Sequence, residues 1–237
     1  MLAASALIGV NSAGYLTGGG SHPFLLERPE LARDAVWRAC LATHVTGALV
    51  CLATGPVLLW NLVLKRSPAL HRVLGRAYVA VVLGLAAPAG VALSFSAKGG
   101  VAGRAGFLVL AAAWFLTTAL GLRDVHRGRL VPHAQWMVRS YALAMSAIHF
   151  RVIQTALFTL GAPNSASYVA AIWLSFLVSV VQGEVLAAEV ARRDRVQSLL
   201  FPGGSDEGDR ARGGARRRGV LGVLRGSDAR AGAAVVR

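Results

Sequence analysis

Long apolar runs separated by short polar breaks dominate the chain. Residues 37–64, 78–95, 106–122, 132–158 and 168–190 each form such a run. A helix rising ~1.5 Å per residue crosses a ~30 Å hydrocarbon layer with about 20 residues, so each run predicts one transmembrane helix. Residues 1–20 are weakly apolar and end in Gly18-Gly19-Gly20, which predicts a marginal sixth span. No Lys or Arg precedes Arg28, so this stretch lacks the basic start of a signal peptide. The expected fold is all-α: a polytopic transmembrane helix bundle of about six spans, five well defined and one marginal. Three segments follow: residues 1–36, an N-terminal helix with an external connector; 37–190, a five-helix core; and 191–237, a basic tail.

Smaller features refine the spans. Trp37 and Trp60 bracket the first run as interfacial anchors, and Gly47, Cys51 and Gly55 form a small-residue stripe for close helix contact. Ser67 followed by Pro68 reads as an N-cap and first helical position. Gly84, Pro88 and Gly90 predict a kink in the second span. The residues after Ala191 are polar, Gly-rich and Arg-rich, with too little apolar surface to offset their ordering entropy, so disorder is expected there.

Charge then sets the topology. The net charge is +14 over 237 residues, which in a soluble chain would suggest nucleic acid. Here the basic residues sit in connectors and in the tail, and no stacking aromatics interleave them, so no nucleic-acid partner is expected. Connector 65–77 carries Lys65, Arg66, Arg72 and Arg76; connector 123–139 carries Arg123, Arg127, Arg129 and Arg139; the tail adds eleven arginines. The intervening turns hold only Lys98 and Arg104. The positive-inside rule places both basic connectors and the C-terminus in the cytoplasm of a bacterial-type inner membrane. The partner is the lipid bilayer, with anionic head groups a candidate partner of the tail arginines. Cys40 and Cys51 lie eleven residues, roughly 16 Å, apart on one helix, too far for a disulfide.

Polar residues within the spans are the candidate chemistry, because a charge at membrane depth normally faces protein or water. On a continuous fourth helix at 100° per residue, Arg139, Gln154 and Arg151 fall on one polar arc, while His149 points away. Trp173 and Glu184 share a face of the fifth helix, and Glu184 could pair with Arg139. Arg139, Arg151, Gln154, Glu184 and Trp173 therefore form a candidate intramembrane site for a small solute or proton. The competing role for Arg139 and Glu184 is an ion pair that locks two helices. Histidines offer a second chemistry: two axial imidazoles on different helices hold a b-type haem in membrane cytochromes. His71 and His133 lie at one depth and His44 nearer the other side, so all three are candidate haem or proton-relay groups. First-turn histidines exposed to water are the competing reading, and no cofactor is the default. No metal site, P-loop, Gly-x-Ser-x-Gly, His-Glu-x-x-His or Cys-x-x-Cys occurs, so no catalytic residue is assigned and nothing marks the chain as an enzyme.

Leu70-His71-Arg72-x-x-Gly75-Arg76-x-Tyr78, His133-x-x-Trp136-Met137-x-Arg139-Ser140-Tyr141-Ala142-Leu143 and the later Arg151 form a recognisable set. Together with His44, Gly55-Pro56, Trp173 and Glu184, the chain from about Ser21 to Val190 resembles the membrane proteins called domain of unknown function 2306. That resemblance implies a multi-pass bundle and transfers no activity or functional residue. Ala134-Gln135 stands where the family usually has basic residues, and His149 departs from the family pattern, which weighs against a haem role for His149. Two functional readings stay open: a bundle that binds or moves a small solute or proton, and a b-type cytochrome-like electron carrier.

Overall fold

A computed structural model of the chain describes residues 28–60 and 66–200. The marginal span in residues 1–20 and the tail beyond residue 200 lie outside the described residues. Every regular element among the described residues is helical: α1 Pro29–Arg33, α2 Ala35–Leu59, α3 Pro68–Val81, a π-helical turn Val82–Ala86, α4 Ala87–Ser94, α5 Gly100–His126, α6 Leu130–Ala144, α7 Ser146–Thr159 and α8 Asn164–Leu200. Because α3 and α4 join through the π turn, and α6 and α7 meet at Met145, these elements make five helices long and apolar enough to cross a membrane.

Local chemistry explains the boundaries. The Asp34 carboxylate caps α2, accepting from the backbone N–H groups of Val36 (2.8 Å) and Trp37 (3.2 Å). Ser67 does occupy the N-cap of α3, with Pro68 first in the helix, but its hydroxyl makes no capping bond. The second span therefore begins at Pro68 rather than at Tyr78, since the basic first turn extends an apolar helix without interrupting it. The third span is likewise longer than its uncharged run, from Gly100 to His126. Gly99 opens it at φ 85°, the left-handed conformation that glycine adopts without a Cβ penalty.

The expected kink near Pro88 takes a specific form. A proline at 88 removes the N–H that would bond the preceding turn, and its ring crowds that turn. The backbone widens into one π turn, in which the Ala87 N–H bonds the Val82 carbonyl. The fourth span departs from expectation: it is not one continuous helix but breaks at Met145. There the Met145 carbonyl accepts from both Ile148 N–H (2.9 Å) and His149 N–H (3.2 Å), a shared bond that tightens the turn.

Small residues set how closely the helices approach. Along α8, Ser167, Ala171, Ser175, Ser179, Gly183 and Ala187 recur every four residues and are all buried. An added Cβ at Gly183 would stand 3.2 Å from the Arg139 Cα on α6, and one at Gly106 would stand 2.4 Å from Ile172. The opposite face of α8, with Leu177, Val181 and Val185, is exposed and forms the surface a bilayer covers. Cys51, Leu52, Tyr78, Val82, Trp114, Tyr141 and Met145 lie at the centre. Neither cysteine is in a disulfide. The compact unit ends at Val190. Residues 191–200, expected to be disordered, are helical, continuing α8 to Leu200.

Candidate functional site

The helices line an open cavity of about 930 Å³ at the end of the bundle where α2 begins, α4 gives way to α5, and α7 gives way to α8. Its mouth is built by the turn after α4. Arg28 donates from its guanidinium to the Ser96 carbonyl, and the Trp37 indole N–H donates to the Ser96 hydroxyl at 2.9 Å. These bonds tie the start of α2 to the 95–99 turn and bring Arg28 and Lys98 to the cavity rim.

Deeper in, α7 contributes Arg151 and Gln154. Arg151 lies eight residues before the last residue of α7, roughly 12 Å inside the end of a span apolar enough to cross a membrane. One guanidinium N–H bonds back to the Ala147 carbonyl at 2.9 Å. Asn164 and Ser165 add polar groups from the start of α8. One wall is aromatic: Phe107, Phe150 and Tyr168 pack with ring centroids 5.4 to 6.2 Å apart, the Phe150–Tyr168 pair edge to face.

His44 also lines the cavity, and its geometry fixes its tautomer. Its Nδ1 lies 2.8 Å from the Ala86 carbonyl at the end of the π turn. A carbonyl only accepts, so Nδ1 carries the proton and Nε2 is left as the polar edge. The approach depends on Gly90, where an added Cβ would stand 3.0 Å from the imidazole.

The candidate residues therefore divide into separate groups. Arg151 and Gln154 line the cavity with His44. Arg139 and Glu184 lie apart from it and form a two-pronged ion pair, Nε to Oε1 at 2.7 Å and Nη2 to Oε2 at 2.8 Å. The Arg139 guanidinium also sits 4.8 Å from the centre of the Trp136 ring. Trp173 donates from its indole N–H to the Ala102 carbonyl at 3.2 Å, joining α8 to α5. The break at Met145 resets the helical phase, so the continuous arc from Arg139 to Arg151 is not a single surface. His149 does point elsewhere, its Nδ1 lying 3.0 Å from the Ser179 hydroxyl on α8.

His71 and His133 each stand fourth in their helices, α3 and α6, at the basic end of the bundle. His133 Nδ1 lies 2.8 Å from the Gly121 carbonyl, so Nδ1 carries a proton and Nε2 is the edge left without that bond. His71 Nδ1 is buried and makes no hydrogen bond among the described residues. His44 is not part of this pair. No group of three or more His, Cys, Asp or Glu side chains able to hold a metal ion gathers among the described residues.

Sequence reasoning passed over Arg28, Lys98 and Asn164, which fall in connectors and turns, and the aromatic wall, whose members fall in the spans. It also missed two buried polar clusters. Tyr78 Oη, Ser140 Oγ and Thr118 Oγ1 form a chain with links of 3.0 and 2.8 Å, ending on the Trp114 carbonyl. Asp124, 1% exposed, pairs with Arg129 at 2.5 Å and Arg123 at 3.3 Å across the α5–α6 turn. The signal for Asp124 was the lone acid among three arginines in connector 123–129.

Five apolar helices packed around an apolar core that holds small polar clusters, with three cations on the lining of a cavity at one end, define a polytopic helical membrane protein. The chain matches the sequence profile of the family described as predicted membrane protein (DUF2306) over residues 41–187, and it belongs to that family. No curated protein and no solved structure matches the chain.

Proposed function

We propose that this protein resides in a bacterial-type inner membrane with its C-terminus and basic connectors in the cytoplasm, and that it binds or translocates a small solute through the cavity between its helices. Arg151 carries the reading: a guanidinium is held within the hydrocarbon layer, on the lining of a cavity large enough for a small organic molecule. On this orientation the cavity lies on the side away from the cytoplasm. Supporting it, the basic residues Arg72, Arg76, Arg123, Arg127 and Arg129 gather at the opposite end. The Arg139–Glu184 pair is read as a lock between α6 and α8, because each charge already meets its opposite in two-pronged geometry. The test is a flux or solute-binding assay on reconstituted protein, with Arg151→Ala alongside. Uptake or binding that disappears in Arg151→Ala supports the proposal. Activity equal to wild type, or labelling of residues 65–77 from outside the cell, refutes it.

A second reading keeps the haem. The His71–His133 pair favours it, since both imidazoles stand in the first turns of their helices and the bond from His133 Nδ1 to the Gly121 carbonyl leaves Nε2 as the edge able to meet iron. These two side chains would supply the axial nitrogens, and bound haem would supply one-electron redox chemistry. A Soret band in protein expressed with ample haem, lost in His133→Ala, supports this reading; featureless visible absorbance in the wild type ends it.

A further inference from the structure

The cavity's lining specifies the sign and shape of what it takes. Three cationic side chains from three different elements reach it: Arg28 ahead of α1, Lys98 from the turn before α5, and Arg151 from α7. No Asp or Glu lines it among the described residues. His44, with Nδ1 committed to the Ala86 carbonyl, presents Nε2 and adds no anion. Gln154, Asn164 and Ser165 contribute neutral hydrogen-bonding groups near the cations. The rest of the lining is apolar or aromatic, and it runs from Trp37 and Tyr168 at the rim to Ala48, Leu110 and Leu143 near the bundle centre.

We infer that the ligand is an amphiphilic organic anion: a carboxylate or phosphate head joined to an apolar body. The inference rests on reading the cavity as a solute site and adds the ligand's class. Electrostatics favours the head near Arg151, Lys98 and Arg28, where guanidinium and ammonium donors give charge-assisted hydrogen bonds. The apolar body lies against Phe107, Phe150 and Leu110, where burial removes its surface from water. A cation would meet like charges at Arg28, Lys98 and Arg151. A purely inorganic anion would leave the aromatic wall unused. A membrane lipid with an anionic headgroup and a soluble organic acid share this chemistry.

The test uses full-length protein in uncharged detergent and follows quenching of tryptophan fluorescence, since Trp37 and Trp114 line the cavity. The probes are decyl phosphate, decanoate, decanol, decyltrimethylammonium and inorganic phosphate, each below its micellar concentration. Saturable binding is expected for decyl phosphate and decanoate, about tenfold or more tighter than for the other three, from the worth of a hydrogen bond to a charged group. Arg151→Gln should weaken the two anionic amphiphiles by about tenfold and leave decanol unchanged. Lys98→Gln should act in the same direction, which protects the test if Arg151→Gln does not fold. Arg104→Gln, which removes an exposed charge outside the cavity lining, should have no effect. Nanodiscs of phosphatidylglycerol set against phosphatidylcholine identify the source: competition by the former assigns a membrane lipid, and its absence assigns a soluble acid. Decanol or the cation binding as tightly as the anions overturns the inference while leaving a solute cavity standing. So does equal binding of inorganic phosphate, or anion affinity unchanged in both variants. Binding by none of the probes overturns both the inference and the solute reading beneath it.

Discussion

Replacing Gly55 by alanine tests the packing on which the bundle depends. Gly55 lies on α2 against the Tyr141 ring of α6, and an added Cβ would stand 2.0 Å from Tyr141 Cε2 and 2.2 Å from Cδ2. Ordinary carbon contacts are about 3.5–4.0 Å, so the ring must retreat by roughly 1.5 Å. It has little room to do so, because Tyr141 is 4% exposed and packed in the central cluster with Cys51, Leu52 and Tyr78. Overpacking of this kind costs about 1–3 kcal/mol, and this clash with a buried ring belongs at the upper end. Alanine returns about 1 kcal/mol of helix propensity over glycine, leaving a net loss of about 2 kcal/mol. For a chain of this size that corresponds to a fall in Tm on the order of 4–8 °C. The measurement is thermal unfolding by circular dichroism in uncharged detergent, repeated in a Tyr141→Ala background. There the Gly55→Ala cost should vanish or change sign, because the ring that the methyl meets is gone. Gly84→Ala is the control: nothing lies within 4 Å of a Cβ at that position, so stability should hold or rise. The reasoning fails if Gly55→Ala melts with the wild type, or if it costs the same with and without the tyrosine ring.

Ser140→Ala breaks the Tyr78–Ser140–Thr118 chain and should cost about 1 kcal/mol, since hydrogen bonds between helices in membranes average about 0.6 kcal/mol each and two are lost; a Tm indistinguishable from wild type would count against it. Asp124→Asn removes the carboxylate that Arg123 and Arg129 meet at the α5–α6 turn and should cost about 1–3 kcal/mol, read by the same melt, whereas Arg127→Gln in that turn should cost less than 0.5 kcal/mol. Glu184→Gln should lower membrane expression, and neutralising Arg139 as well should restore it; full expression of the single variant would instead indicate a proton-relay role.

Much of the architecture is legible along the chain. The five spans follow from apolar runs, and Pro88 locates the helix irregularity, which takes the form of a π turn. The divergence of His149 from Arg151 was readable from helical phase, because both lie on α7 beyond the break. Phase failed across Met145, where one tightened turn detaches the Arg139 surface from that of Arg151. Residues 191–200 looked disordered because composition was read without the helix that leads into them. The periodic Ser167, Ala171, Ser175, Ser179, Gly183 and Ala187 face was visible in principle, since small residues every four positions mark a contact face in a membrane helix.

Insertion into lipid is a sum of local transfer free energies over about 20 residues, so hydropathy alone picks out the five long apolar spans. The family resemblance and the clustering of arginine at particular connectors are written just as locally. The cavity is different. Arg28, Lys98, Arg151 and Asn164 are scattered over more than half the chain, and only helix crossing brings them to one opening. Apolar faces gain nothing from meeting each other rather than lipid tails, so hydropathy carries no information about which face meets which. Close backbone approach at Gly55, Gly90, Gly106 and Gly183 decides that pairing, and with it which side chains come to line the cavity.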